Sequence, residues 1–142
     1  MNEARMTVAA RAVVRHEDRL LLVTDDHTYW YTPGGRMKAS ETLPECIARE
    51  VWEETGLKVT VHDLLAVSEY LDSSQSEHKV ECFFAAELTE IPSNVHDWQD
   101  IAGPVRSFGF FSDAEISAMH VLPAFVKRLS AEPLGKVYIE PN

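Results

Sequence analysis

"REVWEETG", residues 49–56, places Glu50, Glu53 and Glu54 on one short stretch and closes it on Gly56. Helical residues advance about 100° each, so these three carboxylates fall within an arc of roughly 100°. On the same wheel Ile47, Ala48, Val51 and Trp52 occupy a separate arc, roughly opposite, which suits burial against a sheet. The pattern predicts a helix over Leu43–Thr55, with Pro44 in its first turn and Gly56 as its stop. Like charges about 5–6 Å apart repel by roughly 3 kcal/mol at an effective dielectric near 20. Negative charge in the last turn also opposes the helix dipole, at about 0.3–1 kcal/mol per group. A solvated acidic surface helix is the plain alternative, but a local rule broken in this way marks a functional site. Hard divalent cations such as Mg²⁺ resolve the conflict, because they take carboxylate oxygens together with substrate phosphates and keep crowded acids ionised. Arg49, four positions before Glu53, is placed to pair with it or with a carboxylate of the preceding loop.

Outward from this helix the chain reads as strands. "TVAARAVVR" (7–15) and "RLLLVT" (19–24) flank "HED" as a hairpin, with Arg11 a charge in mid-strand. "DDHTYWYTPGGR" (25–36) reads as a loop ending in a Pro-Gly-Gly turn. Residues 57–71 supply strand material, 72–77 a polar loop, and 78–88 a second strand. Residues 89–104 read as a surface loop and 105–111 as a last short strand. Ser112 and Glu115 stand at capping-box spacing before a helical pattern that Pro123 kinks or splits. No repeat, linker or low-complexity segment interrupts a single α/β domain over 1–142.

Composition limits what such a domain does. Thirteen Lys and Arg against 23 Asp and Glu give a net charge of −10, which disfavours nucleic-acid backbones and anionic membranes as partners. A small anionic substrate then needs cations beside it. Cys46 and Cys82 form neither a disulfide framework nor a zinc motif, and suit a reducing compartment. The first 14 residues carry no signal-peptide hydrophobic region, so a cytoplasmic location is expected.

Read backward from the acidic stretch, Gly35, Glu41, Arg49-Glu50, Glu53-Glu54 and Gly56-Leu57 stand at the spacing of the Nudix box, and the chain resembles the Nudix hydrolase family. The preceding "TPGG" and the order of strand, loop and box are similar too. The resemblance implies a Nudix fold, an α/β/α sandwich around a mixed β-sheet. It implies Mg²⁺-dependent hydrolysis, with Mn²⁺ as substitute, of a nucleoside diphosphate linked to another moiety. By position, Glu50, Glu53, Glu54 and the carbonyl of Gly35 correspond to metal ligands, and Glu41 with Arg49 to a supporting ion pair. Either Glu50 or Glu53 corresponds to the base that accepts the water proton, with Glu50 favoured. A homodimer is also compatible with the family.

Other residues are nominated for substrate or metal contact. Glu81, Asp97 and Asp100 are candidates for a further carboxylate. Arg11 and Arg36 are candidates for phosphate, and Trp30 or Tyr31 for stacking on a base. His78, Phe83 and Phe84 are weighed for the same pocket, with solvated imidazole and core packing the better readings. Ser40 stands where many relatives have Gly, which matters only if that position needs a positive φ. An enzyme is the leading reading. A nucleotide-sensing module of the same fold, without turnover, is its alternative.

Overall fold

The structure, a computed structural model, describes residues 5–90, 107–129 and 135–141. Its strands are β1 (Arg5–His16), β2 (Arg19–Thr24), β3 (Gly34–Arg36), β4 (Lys58–Asp72), β5 (Glu77–Glu90), β6 (Ser107–Ser112) and β7 (Tyr138–Ile139). Helix α1 spans Leu43–Thr55, α2 spans Asp113–Ser117, and a 3₁₀ turn covers Ala124–Arg128. Among the described residues these strands form one mixed sheet in the order β6-β2-β1-β5-β4-β7, with β3 beside β1.

β1 is the central strand. It runs parallel to β5 from Arg5↔Glu77 to Val14↔Ala86. Its other edge is shared between β3, from Ala9↔Arg36 to Arg11↔Gly34, and β2, at Arg15↔Leu20 and His16↔Arg19. As suits a strand covered on both faces, Ala9, Ala10, Ala12, Val13 and Val14 are all buried, with Arg11 half-buried among them. The β1–β2 hairpin turns through Glu17 at φ 52° and Asp18 at φ 63°. Two left-handed residues make the turn whose twist matches its strands.

Alternation along the strands separates two cores. Ala10, Ala12, Val14 and Leu21 pack with Cys46, Ile47 and Val51 of α1. Val13, Leu20 and Leu22 face the other way, onto Ile116, Val121, Phe125, Val126 and Leu129. Burying each such Leu stabilises the fold by about 1.5–3 kcal/mol. Helical elements therefore cover both faces of the sheet, giving the α/β/α sandwich expected of the sequence.

Two local readings are corrected. Gly34 and Gly35 do not form a turn; they begin β3, because the backbone hydrogen-bonding groups of β1 are open beside them. Ala48 and Trp52 are exposed, Trp52 at 42%, because α1 meets the sheet through Cys46, Ile47, Val51, Glu54 and Thr55. The carboxylate arc thus overlaps the edge of the buried face instead of lying opposite it. The C-terminal helical pattern is realised as two short pieces on either side of Pro123, the split expected there. β7, which pairs with β4 at Val67↔Tyr138 and Ser68↔Ile139, has no counterpart in the sequence reading. Most of the expected surface loop at 89–104 lies outside the described residues, and its first two residues end β5.

Ser40 lies at φ 69°, the left-handed region. A side chain there is disfavoured by about 1–2 kcal/mol, only partly offset by the extra unfolded-state freedom of Gly. Ser40→Gly is expected to raise stability by about 0.5–1 kcal/mol in urea unfolding, and a loss would mean Ser40 has a bonding role.

Candidate active site

The loop before α1 and the last two turns of α1 carry the acidic residues, so the two ends of the helix fix them. Thr42 caps the start: its hydroxyl accepts from the Glu45 N–H at 3.2 Å, and the Glu45 carboxylate accepts from the Thr42 N–H at 2.9 Å. Such caps contribute about 0.5–2 kcal/mol. Gly56, at φ 75°, ends the helix with its N–H on the Trp52 carbonyl at 2.9 Å. The last turn holds no basic residue, and Glu53 and Glu54 stand at the negative end of the helix dipole.

Relief comes from one turn earlier. Arg49 donates through Nε to Glu41 Oε1 at 2.6 Å and through Nη2 to Glu41 Oε2 at 3.2 Å. Its Nη1 reaches Glu50 Oε1 at 2.8 Å and Glu53 Oε2 at 3.3 Å, and Nη2 also reaches the Arg36 carbonyl at 3.3 Å. One guanidinium therefore ties the loop after β3 to two carboxylates of the helix. The Glu41 bonds push the Arg49 pKa up, opposed by its burial. Reciprocally, Arg49 and then the Lys38 N–H, which donates to Glu41 at 2.8 Å, hold the Glu41 carboxyl down at about 2.

This has a sign. The ordinary Glu value is 4.5 and the folded value about 2, so the stabilising contribution of Glu41 is present above 4.5 and is lost as pH falls through 2. The stability gap between the native chain and Glu41→Gln, followed by denaturant unfolding, is expected to be widest above pH 4.5 and to close on acidification. A pH-independent gap would show that Glu41 acts only by packing.

Glu54 is turned inward, 6% exposed, and accepts the Gly34 N–H at 3.0 Å. Gly35 lies against Glu50: a Cβ at Gly35 would stand 2.7 Å from the Glu50 carboxyl carbon. The Cys46 thiol donates to the Gly35 carbonyl at 3.5 Å. Burial, then the charge of Glu41, pushes that thiol up to about 11, so it remains the S–H donor.

Three carboxylates and a carbonyl are hard oxygen donors, the set that suits Mg²⁺ or Mn²⁺, and the missing Cβ of Gly35 lets Glu50 lie against that carbonyl's residue. By donor type and by this cradle the residues fit a divalent cation. Among the described residues, however, no three His, Cys, Asp or Glu side chains converge as a ready metal cage. Arg49 draws Glu50 and Glu53 toward itself, while Gly34 draws Glu54 inward.

The remaining candidates separate. Arg11 donates to Glu81 at 3.0 Å, on the face of the sheet away from α1. Arg36 pairs with Glu77 at 2.8 Å. Trp30 packs its ring on Phe111, centroids 5.0 Å apart, against the core of α2. Tyr31 lies under Arg11, 5.8 Å from guanidinium to ring centroid. His78 bonds Glu69, Phe83 is fully buried, and Phe84 packs on the α1 core. Asp97 and Asp100 lie outside the described residues. Sequence reasoning missed Gly34, the residue whose N–H holds Glu54; its signal was the doubled glycine. It also missed Cys46 under the Gly35 carbonyl, for which a mid-helix Cys offers no signal.

Comparison with known proteins agrees with this architecture. The family model described as NUDIX domain matches residues 5–124. Phosphatase NudJ of Escherichia coli (strain K12) is 33% identical over 101 residues, covering 68% of this chain and 64% of that protein. A MutT-like protein of Streptomyces ambofaciens is 46% identical over 59 residues, 41% of this chain and 38% of that protein. The chain thus spans less than two thirds of the length of either curated relative. A NUDIX hydrolase from Nitrosomonas europaea shares the fold at a TM-score of 0.71, with 22% identity over 87% of this chain and 85% of that one. A family match running from the start of β1 to the start of the 3₁₀ turn, on a sandwich of this layering, makes the chain a member of the Nudix family.

Proposed function

We propose that the chain is a pyrophosphohydrolase that cleaves a nucleoside diphosphate linked to another moiety, by water attack at phosphorus. A nucleoside triphosphate, including a damaged one, or a nucleotide sugar fits that description. The observation that carries this reading is the Arg49 network, which brings Glu41, Glu50 and Glu53 onto one guanidinium beside the cradle of Gly35. The name phosphatase carried by the Escherichia coli relative supports phosphoester or phosphoanhydride chemistry for this chain too.

Members of the family generally depend on divalent metal ions. Glu50, Glu53, Glu54 and the Gly35 carbonyl are the residues that would hold Mg²⁺, or Mn²⁺ in its place. A cation bound there supplies Lewis-acid charge for the diphosphate oxygens and a lowered pKa for water. Arg49 fixes the Glu50 and Glu53 carboxylates in one orientation, and Glu41 fixes Arg49. Glu50 is assigned as acceptor of the water proton, being the carboxylate held both by Arg49 and against Gly35. Two free, buried cysteines suit a cytoplasmic setting.

A screen of nucleotides with Mg²⁺, read as phosphate release after coupling to a phosphatase, tests the proposal. Turnover of at least one class is expected. If none turned over while one bound tightly, the chain would be a nucleotide sensor instead.

A further inference from the structure

Hydrolysis at α1 gives no role to the ion pair on the opposite face of the sheet. Ala10 and Ala12 of β1 face α1, so Arg11 projects to the other side, as Val13 does. There its Nε donates to Glu81 Oε2 at 3.0 Å, with the two side chains only 16% and 14% exposed. Among the described residues neither terminal nitrogen of Arg11 has a hydrogen-bond partner. Glu81 takes the side of the guanidinium and leaves its fork unspent.

The strand that carries Arg11 is linked to the carboxylates of α1 through β3. Arg11 is paired with Gly34 across β1 and β3, and the Gly34 N–H donates to Glu54. Tyr31, whose ring lies 5.8 Å from the Arg11 guanidinium, feels both charges: burial, then the negative charge of Glu54, pushes its hydroxyl pKa up, and Arg11 opposes the shift. Of the three arginines around the site, Arg49 spends every nitrogen on the box and Arg36 is paired with Glu77. In a chain of net charge −10, Arg11 is the one of the three with both terminal nitrogens open to an anion among the described residues.

We infer that Arg11 is an anion clamp, its two terminal nitrogens taking phosphate oxygens of a diphosphate held at α1, and that Glu81 is its positioning residue through Nε. This rests on the diphosphate reading above. It also reassigns Glu81, which the sequence nominated as a further metal ligand.

The test is calorimetric titration of inorganic pyrophosphate, with Mn²⁺ present, into the full chain and its variants, together with Mn²⁺ binding alone by electron paramagnetic resonance. Arg11→Met is expected to weaken pyrophosphate binding by about 10–100-fold and Arg11→Lys by less, because an ammonium keeps the charge but loses the fork. Glu81→Gln should weaken it by about 5–10-fold, and add nothing in the Arg11→Met background, since it acts only through Arg11. Mn²⁺ affinity without pyrophosphate should be unchanged in all. Thermal melts check folding, and Arg11→Lys carries the same comparison if Arg11→Met does not fold. Unaltered pyrophosphate affinity in the Arg11 variants would overturn the clamp. Loss of Mn²⁺ affinity in Glu81→Gln would return Glu81 to the metal, and additive effects in the double variant would reduce it to a fold-supporting acid. A chain that binds pyrophosphate through Arg11 yet hydrolyses no nucleotide removes the proposed enzyme and leaves the clamp. One that turns over nucleotides with binding intact in Arg11→Met removes the clamp and leaves the enzyme.

Discussion

Glu53→Gln and Glu54→Gln are each expected to lower kcat by about 10²–10³-fold, the cost of removing one preorganised electrostatic contact at a reacting phosphate. Both keep the side chain's shape and one oxygen acceptor while removing its charge. Glu54 is buried on the Gly34 N–H, and an amide oxygen can still accept that bond. Glu53 is half exposed and shares Arg49 with Glu50, so its loss leaves Arg49 anchored on Glu41. Neither substitution should unfold the chain. Each also removes one charge from a helix end already crowded with negative charge, so Tm is expected to stay level or rise while activity falls. That opposition is the informative outcome, because damage to the fold would lower both. Steady-state kinetics across a Mg²⁺ series, with thermal melts of the same samples, measure it. Wild-type rates in both variants would remove them as metal ligands.

How much of this was legible in the sequence differs from element to element. α1 was legible to the residue, because its start, its stop and its apolar period are all local signals. The β1–β2 hairpin was legible because two apolar runs flank a short polar turn. β3 was not, since three residues of "GGR" have no period, and their strand character comes wholly from the open edge of β1. The wheel separated carboxylates from apolar residues but could not say where the sheet would lie. Trp52 is therefore exposed and Glu54 buried, against hydrophobicity but in accord with the contact of α1. The partners of Arg49 were partly legible from spacing, since Glu53 is four residues on and Glu41 eight residues back. The Arg11–Glu81 pair joins residues 70 apart across parallel strands, a contact that no local pattern encodes.

The two glycines before the box divide stability from activity, and alanine at each should show it. At Gly34, φ is 149° and a Cβ would lie 2.1 Å from the Ala10 carbonyl oxygen and 2.9 Å from the Arg11 Cα. Those atoms belong to the central strand, which is held on its far edge by β5 and cannot give way. Gly34→Ala is therefore expected to destabilise the chain by at least about 3 kcal/mol, roughly 6–12 °C in Tm. Separation of β3 from β1 would also carry the Gly34 N–H away from Glu54, so activity should fall even where the chain stays folded. At Gly35 the obstacle is different: the Cβ would meet the Glu50 carboxylate, the far end of a flexible side chain, at 2.7 Å. Glu50 can swing aside at little cost to the fold but not without leaving the place from which it would take the water proton. Gly35→Ala should thus lose activity with a Tm shift of no more than about 2–4 °C, the equivalent of roughly 1 kcal/mol. Equal Tm losses in the two variants would mean that backbone, not Glu50, is what crowds Gly35, and a native-like melt for Gly34→Ala would show that β3 is not held against β1 in solution.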